Sequence, residues 1–258
     1  MKEAKLGQFV FFKFFSKKVS SLPIRMNLLK DNMGIENKIS GKEYIVLAVI
    51  ALMMLVGYVL VFTNVPLFER YTVEDGVVEW LTVIGLLLAA GTCFIRAIHL
   101  RKYRSGLFIL GCVLLGLVLF FGAGEEISWG QRIFGIESSE YFKEHNTQGE
   151  TNLHNLIVDG VRVNRWVFSF LLTALLAFYV IIMPLLYRSK KWMQRFVTYF
   201  GIPLPKIYQV IAFVVLFVLT TLIPHEKRAE LLEGGTAFML FLIIRFPANP
   251  HTFSHEPL

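Results

Sequence analysis

The chain alternates between long apolar runs and short polar segments. Five runs contain almost no charge, and they are Tyr44 to Thr63, Trp80 to Ala97, Gly106 to Gly124, Trp166 to Tyr187 and Ile207 to Ile223. About 20 apolar residues in a helix cross a hydrocarbon core of roughly 30 Å, because the helix satisfies its own backbone polar groups. The pattern therefore predicts transmembrane helices.

A sixth run, Pro224 to Ile244, opens with charged residues before the apolar sequence TAFMLFLII. It can still cross a bilayer if its first turns lie at the interface or in a cavity lined by protein. The fold class predicted is all-α, a polytopic transmembrane helical bundle of about six spans.

Composition agrees with this class, since 55% of the residues are hydrophobic and the mean hydropathy is +0.58. The loops also differ in charge. Basic loops precede the first run, follow the second and follow the fourth, whereas the loops at 68–79 and 125–165 are net acidic. Lysine and arginine mark cytoplasmic loops. The alternation predicts a cytoplasmic amino terminus and an outer loop at 125–165 in the bacterial cytoplasmic (inner) membrane, and it explains the net charge of +7 without nucleic acid.

Three regions follow from this topology. Residues 1–43 are predicted to form a basic amphipathic cytoplasmic arm on the anionic inner leaflet, because GQFVFFKFFSKKV mixes phenylalanine with lysine. An upstream extension before Met26 or Met33 is the alternative for part of it. Residues 44–246 form the transmembrane domain, and 247–258 an unstructured cytoplasmic tail. Cys93 and Cys112 fall inside spans and are predicted to be packing residues.

Three polar clusters are predicted near the same outer face. Glu125 and Glu126 end the third run, and Glu125, Trp129 and Arg132 would share a face if its helix continued. Intramembrane or interfacial ionisable residues suggest a functional site. The alternative is that the two glutamates end the helix and pair with Arg132 or Arg165.

Glu150 and His154 are four residues apart, so on a helix both would point to one side and could share a divalent metal or act as base and orienting partner. The alternative is a turn in which Asn152 or Asn155 bonds the backbone. The third cluster opens the sixth run with His225, Glu226, Glu230 and Glu233, for which a solvated helix terminus is the alternative.

The sequence EEISWGQRIFG, followed by NTQGETNLHN, resembles a signature of uncharacterised bacterial multi-spanning membrane proteins. It is more faintly similar to the membrane CAAX-protease and bacteriocin-processing family, whose first motif pairs two glutamates with an arginine four residues after the second. Glu125 and Glu126 match that pair, Arg132 comes two residues late, and the family's histidine motifs do not appear. Alkaline ceramidases and related membrane hydrolases hold a zinc ion with histidines and an acid, which are residue types also found in these clusters.

These clusters suggest a metal-dependent intramembrane hydrolase of a lipid or peptide. Its candidate catalytic residues are Glu125, Glu126, Glu150 and His154, and its candidate ligands for a divalent metal such as zinc are Glu126, Glu150, His154, His225 and Glu230. A cation or proton-coupled transporter or channel is one alternative, and a non-enzymatic membrane scaffold or sensor is the other. The lipid bilayer is the predicted partner, and the oligomeric state stays open.

Overall fold

The computed structural model describes residues 38–158, 161–163 and 170–256, and the predicted arm at 1–37 lies outside these ranges. Within them, four helical segments are long and apolar enough to cross a membrane. Three are α1 (Gly41–Thr63), α3 (Val77–Leu100) and α4 (Gly106–Glu126). The fourth joins α7 (Leu172–Ala177), a π-helical turn (Phe178–Ile182) and α8 (Met183–Ser189). The all-α class is confirmed, and four helical segments, rather than about six, have the length and hydropathy of a membrane span.

Shorter elements connect and complete the bundle. They are α2 (Val65–Tyr71), α5 (Gln131–Phe134), α6 (Glu140–His145), the hairpin of β1 (Ile157–Val158) and β2 (Val161–Arg162), α9 (Lys191–Tyr199), α10 (Ile207–Thr221), α11 (Arg228–Arg245) and a 3₁₀ turn (Pro250–Phe253). The 15 residues of α10 span roughly 22 Å, which is shorter than an average hydrocarbon core.

Helix α11 is the core of the bundle and packs against α1, α3 and α10. Small residues allow this packing. A Cβ atom on Gly85 of α3 would lie 3.0 Å from the backbone of Ala237, and one on Gly235 would lie 2.6 Å from the Leu216 side chain. Because other helices surround α11, it needs little hydropathy of its own. This explains why its length and hydropathy alone do not mark it as a membrane span.

An apolar layer fills the seam between α3, α4 and α11. Its buried members are Ala89, Ala90, Cys93, Leu119 and Ile244. Both cysteines are free and buried, which confirms that they are packing residues. The seam separates two chemically different ends of the bundle. We call them the acidic end, where α4 terminates at Glu126, and the basic end, where α3 terminates at Leu100.

The prediction of an unstructured tail is wrong for residues up to 256. Asn249 is completely buried; its side chain accepts a hydrogen bond from the Leu204 amide at 2.9 Å and donates to the Ile202 carbonyl at 3.1 Å. Arg104 donates to the carbonyls of Thr252 and Ser254. These polar contacts, invisible in a short Pro-rich sequence, fix the tail against the basic end.

Candidate functional site at the acidic end

Helix α4 stops at Glu126, and the chain then turns sharply. Ser128, Trp129 and Gly130 have φ angles of +46°, +57° and +75°, a left-handed conformation that only glycine adopts without cost. The helix therefore does not continue through Trp129 as the shared-face prediction required. The turn nevertheless returns the indole over Gly124, and its Nε1 donates to Glu125 Oε1 at 2.9 Å.

Arg132 is the centre of an ion-pair network that joins two loops. Its guanidinium lies 2.9 Å from Asp75 Oδ2, 2.9 Å from Glu79 Oε1, 3.0 Å from Glu150 Oε1 and 3.4 Å from Glu74 Oε2. Burial opposes the charge of Arg132, but the attraction of Glu150, Glu79 and Asp75 is stronger, and the pKa of the guanidinium is raised. The network fastens the 125–155 loop to the start of α3.

The sequence pattern did not predict this network. The predicted partners of Arg132 were Glu125 and Glu126, and the structure places Arg132 against other carboxylates. The available signal was the excess of acids in the 68–79 loop, which includes Glu74, Asp75 and Glu79. A short acidic loop and Arg132, both predicted at one face, already suggest an ion pair.

Both carboxylate oxygens of Glu150 have partners in this part of the structure. One face of its carboxylate pairs with Arg132, and Oε2 accepts a hydrogen bond from Ser128 Oγ at 2.5 Å. Asn152, which is 2% exposed, donates to Ser128 Oγ at 2.8 Å. These hydrogen bonds between polar side chains fix the loop across the end of α4.

Glu125 acts as an anion cap for the turn that contains His154. Its Oε2 accepts hydrogen bonds from the backbone amides of Leu153 at 2.6 Å and His154 at 3.1 Å. Asn155 N donates to Asn152 Oδ1 at 3.2 Å. The segment is thus a turn with an asparagine bonding the backbone, as the alternative prediction stated, and the helical arrangement of Glu150 and His154 is wrong.

The His154 ring packs beside Glu125, with Nδ1 3.9 Å from Oε2. Burial lowers the pKa of the imidazole, although Glu125 and Glu150 oppose this shift. A histidine with a lowered pKa is neutral in the folded protein at pH values where the unfolded chain is already protonated. His154 therefore contributes stability above its ordinary pKa of about 6.5, and this contribution disappears as the pH falls through the lower folded value.

This behaviour gives a pH prediction. We expect the wild-type melting temperature to fall below pH 6.5 more steeply than that of His154→Gln, because only the wild type must protonate a half-buried imidazole. The measurement is thermal unfolding in detergent between pH 8 and pH 5, with His145→Gln, a variant of an exposed histidine, as control. Parallel curves for wild type and His154→Gln would contradict the prediction.

A second group of carboxylates lies at the same end, and we call it the carboxylate cup. It consists of Glu79 of α3, Glu126 of α4, and Glu230 and Glu233 of α11, whose charges interact with one another. The Glu233 side chain is exposed, whereas those of Glu126 and Glu230 are half-buried. Three helices therefore bring acids together at the acidic end.

The cup differs from the Arg132 network because, within the described residues, three of its four acids have neither a hydrogen-bond donor nor an ion-pair partner. Glu79 belongs to both, since it pairs with Arg132 and accepts a hydrogen bond from the Asp75 amide at 2.9 Å. Across residues 38–158, 161–163 and 170–256, no donor is hydrogen-bonded to the carboxyls of Glu126, Glu230 or Glu233. A half-buried carboxyl without a donor, as at Glu126 and Glu230, is costly, and such groups are typical of a functional site.

The cup is closed on its inner side. Glu233, Leu240 and Ile244 recur at the spacing of one helical face. Leu240 and Ile244 pack in the apolar layer with Ala89 and Leu119. A ligand or proton that enters the cup from the acidic end consequently meets packed hydrocarbon below Glu233.

The structure distributes the five predicted metal ligands over different places. Glu126 and Glu230 lie in the cup, Glu150 pairs with Arg132, and His154 lies beside Glu125. His225 Nε2 lies 3.5 Å from Glu69 Oε1, and its ring meets Phe68 edge-on. Among the residues that the structure describes, no three His, Cys, Asp or Glu side chains are grouped to hold a metal ion. Glu226 precedes α11 and is exposed.

The signature segment at 125–155 now has a structural explanation. Glu125, Arg132, Glu150 and Asn152 hold its turns together, and Glu126 alone of the adjacent glutamate pair enters the cup. Most of these polar residues therefore hold the loop in place rather than line the cup. No protein-family model, no curated protein and no solved structure matches the chain.

Proposed function

We propose that the chain is a membrane-embedded acid–base enzyme, a hydrolase that acts on a lipid or a membrane peptide at the outer face. The observation that carries the proposal is the carboxylate cup. Its three carboxyls without a hydrogen-bond donor, Glu126, Glu230 and Glu233, converge from two helices above an apolar floor. Of the catalytic candidates from the sequence, Glu126 is retained as the central one, while Glu125, Glu150 and His154 have positioning roles.

The chemistry needs only water and two carboxyls of the cup. Neighbouring carboxyl groups that repel each other can share one proton, so that one is an acid while the other is a base. The carboxylate takes a proton from water as the water oxygen attacks the ester or amide carbon, and the carboxylic acid gives its proton to the leaving oxygen or nitrogen. Metal assistance stays a prediction from the sequence.

A labelling experiment tests the protonation state of the cup. We expect a hydrophobic carbodiimide, which reacts with protonated carboxyls, to modify Glu126, Glu230 or Glu233 at pH 7 more than Glu137, whose side chain is 88% exposed. Peptide mass spectrometry locates the adducts. Modification confined to exposed loop acids would show that the cup carries no proton and would remove the acid–base mechanism.

The enzymatic proposal itself is tested in proteoliposomes that contain a mixed bacterial lipid extract and membrane peptides. We expect a product in the wild-type sample, detected by mass spectrometry, and a loss of at least about 100-fold in Glu126→Gln and Glu233→Gln, the usual effect of removing a general acid or base. Glu137→Gln should retain the wild-type rate. Equal product in wild type and Glu126→Gln would contradict the role of the cup.

Proton-coupled transport is the second candidate, because unpaired acids in a membrane can relay protons. The apolar layer of Ala89, Ala90, Cys93, Leu119 and Ile244 lies between the cup and the basic end, and this favours an enzyme over a channel. A pH-sensitive dye inside the proteoliposomes separates the two functions. Proton flux that is lost in Glu126→Gln, without product, would support transport, while neither activity would support the scaffold hypothesis.

We also propose six spans, with α10 and α11 as the fifth and sixth, and the amino terminus in the cytoplasm of the inner membrane. The position of α11 at the centre of the bundle supports this topology, because a helix enclosed by other helices can cross with polar residues in its first turns. The acidic end would then face outwards, in agreement with the distribution of lysine and arginine.

Cysteine labelling tests this orientation. In a background where Cys93 and Cys112 are serine, we expect Glu137→Cys to react with a membrane-impermeant maleimide in intact cells and Lys190→Cys to react only after lysis. Both positions are exposed, whereas the neighbouring Ser138 is buried and hydrogen-bonded to Gln131. Reaction in the opposite sense would place the cup on the cytoplasmic side.

A further inference from the structure

A large cavity opens at the basic end, remote from the carboxylate cup. Its volume is ≈ 880 Å³. The segments around it are the start of α1, the last turns of α3, the end of α11, Lys206 before α10 and the docked tail. Among the described residues, six basic side chains line it, and these are Lys38, Lys42, Arg96, His99, Lys206 and Arg245. Glu43 is the one acid in this described part of the lining.

Glu43 does not neutralise this cavity, because it is already paired. Lys206 Nζ lies 2.8 Å from Glu43 Oε1, and the two side chains are 5% and 1% exposed. Tyr208 also donates its hydroxyl to this carboxylate. The ion pair is therefore part of the wall, and the remaining basic residues determine the charge of the space.

Arg96 and Arg245 have no carboxylate within 4 Å among the described residues. The Arg96 guanidinium stacks over the Phe253 ring, 3.9 Å from its centroid, and donates to the Arg245 carbonyl at 3.5 Å. The two guanidinium groups are close enough for their charges to repel each other. Since a guanidinium carries five N–H donors, most of those on Arg96 are available to an anion.

The position of the cavity favours a lipid headgroup over a soluble anion as its ligand. Arg96 lies one turn before the end of α3, the level at which headgroups meet a transmembrane helix. Ile84, Leu88 and Ile95 share one face of α3 and are 46%, 45% and 55% exposed, and Ile95 also lines the cavity. This apolar stripe runs from the cavity along the predicted hydrocarbon region, where an acyl chain would lie.

We infer that this cavity is a binding site for the headgroup of an anionic phospholipid of the inner leaflet. The phosphate oxygens would accept hydrogen bonds from the planar guanidinium groups of Arg96 and Arg245, with Lys42 and His99 at the open rim. Basic pockets between transmembrane helices on the cytoplasmic side are suited to such headgroups. The inference is independent of the acid–base function proposed for the opposite end.

The test uses the full chain, purified in a mild detergent and titrated with defined lipids under native mass spectrometry. The probes are phosphatidylglycerol and, as a zwitterionic reference, phosphatidylcholine with the same acyl chains. We expect phosphatidylglycerol to bind at least tenfold more tightly. Equal affinity for both lipids would overturn the inference.

Two variants locate the binding. Arg96→Gln/Arg245→Gln should weaken phosphatidylglycerol on the order of 20-fold, from about fivefold per basic residue, while Lys190→Gln/Lys191→Gln, which removes the same charge outside the cavity, should leave it unchanged. If the first variant fails to fold, Lys42→Gln, at an exposed position, should weaken it about fivefold. Retained affinity in the folded cavity variants would overturn the inference.

A soluble competitor separates the two sources of phosphate. Glycerol phosphate carries a phosphate group and no acyl chains, and at millimolar concentration we expect it to displace little phosphatidylglycerol, because the apolar stripe contributes to the affinity. Full displacement by glycerol phosphate, with equal stabilisation of the protein, would mean that a soluble phosphate rather than a lipid occupies the cavity and would overturn the inference.

Discussion

Replacing Lys206 by methionine is expected to destabilise the protein by about 3–5 kcal/mol, the usual effect of removing one partner of a buried ion pair. Lys206 and Glu43 are almost completely buried, with Nζ 2.8 Å from Oε1, and Nζ also donates to the Lys38 carbonyl. Without the ammonium group, the Glu43 carboxylate would remain buried with only Tyr208 and the start of α1 as donors. The loss would loosen the junction of α1 and α10.

Thermal unfolding of the detergent-solubilised protein measures this effect. Cys93 and Cys112 are 3% exposed in the folded chain, so a thiol-reactive dye reports on unfolding without an added label. The double variant Lys206→Met/Glu43→Gln is the matched control, because it removes both charges and should recover most of the lost stability. A double variant as unstable as Lys206→Met would show that packing, and not the unpaired charge, causes the effect.

Arg132→Leu is expected to produce the second large loss, about 3 kcal/mol at neutral pH. The substitution leaves four carboxylates facing one another without their common cation, although partial exposure of Arg132, at 23%, allows water to reduce the repulsion. The free acids include Glu79, which belongs to the carboxylate cup as well. The variant should therefore also disturb the site that we propose for acid–base chemistry.

The same thiol assay measures this loss, with two controls. Arg132→Lys should recover part of the stability, since an ammonium group keeps the charge but cannot reach all the carboxylates that a planar guanidinium contacts. Lys143→Ala breaks an exposed ion pair with Glu137, whose side chains are 51% and 88% exposed, and should change stability by less than about 1 kcal/mol. Equal losses in Arg132→Leu and Lys143→Ala would refute the central role of Arg132.

The network and the cup also divide the catalytic candidates in a way that can be tested with one pair of variants. Glu125 caps the amides of Leu153 and His154, so Glu125→Gln should lower stability more than it lowers the proposed activity. Glu126, without such contacts in the described part of the chain, should show the reverse. Adjacent residues in the sequence thus have different roles because consecutive positions in the last turn of α4 point about 100° apart around the helix.

Sequence by itself determined the class of the protein and much of its polarity. A 20-residue apolar run has few stable forms other than a buried or membrane-spanning helix, and this is why α1, α3 and α4 were predicted nearly to their ends. The two buried cysteines and the turn at Asn152 also follow from local chemistry. These properties depend on residues that are close to one another along the chain, and a sequence shows such residues directly.

Tertiary structure decided which polar residues meet. The partners of Arg132 include Glu79, 53 residues away, and Lys206 pairs with Glu43 across 163 residues. The cup requires α11 to turn Glu230 and Glu233 towards Glu126, and the contacts of Gly85 and Gly235 set that rotation. Periodicity gives the face of each helix, but packing chooses which face another helix meets, so the site of this protein is a property of its fold.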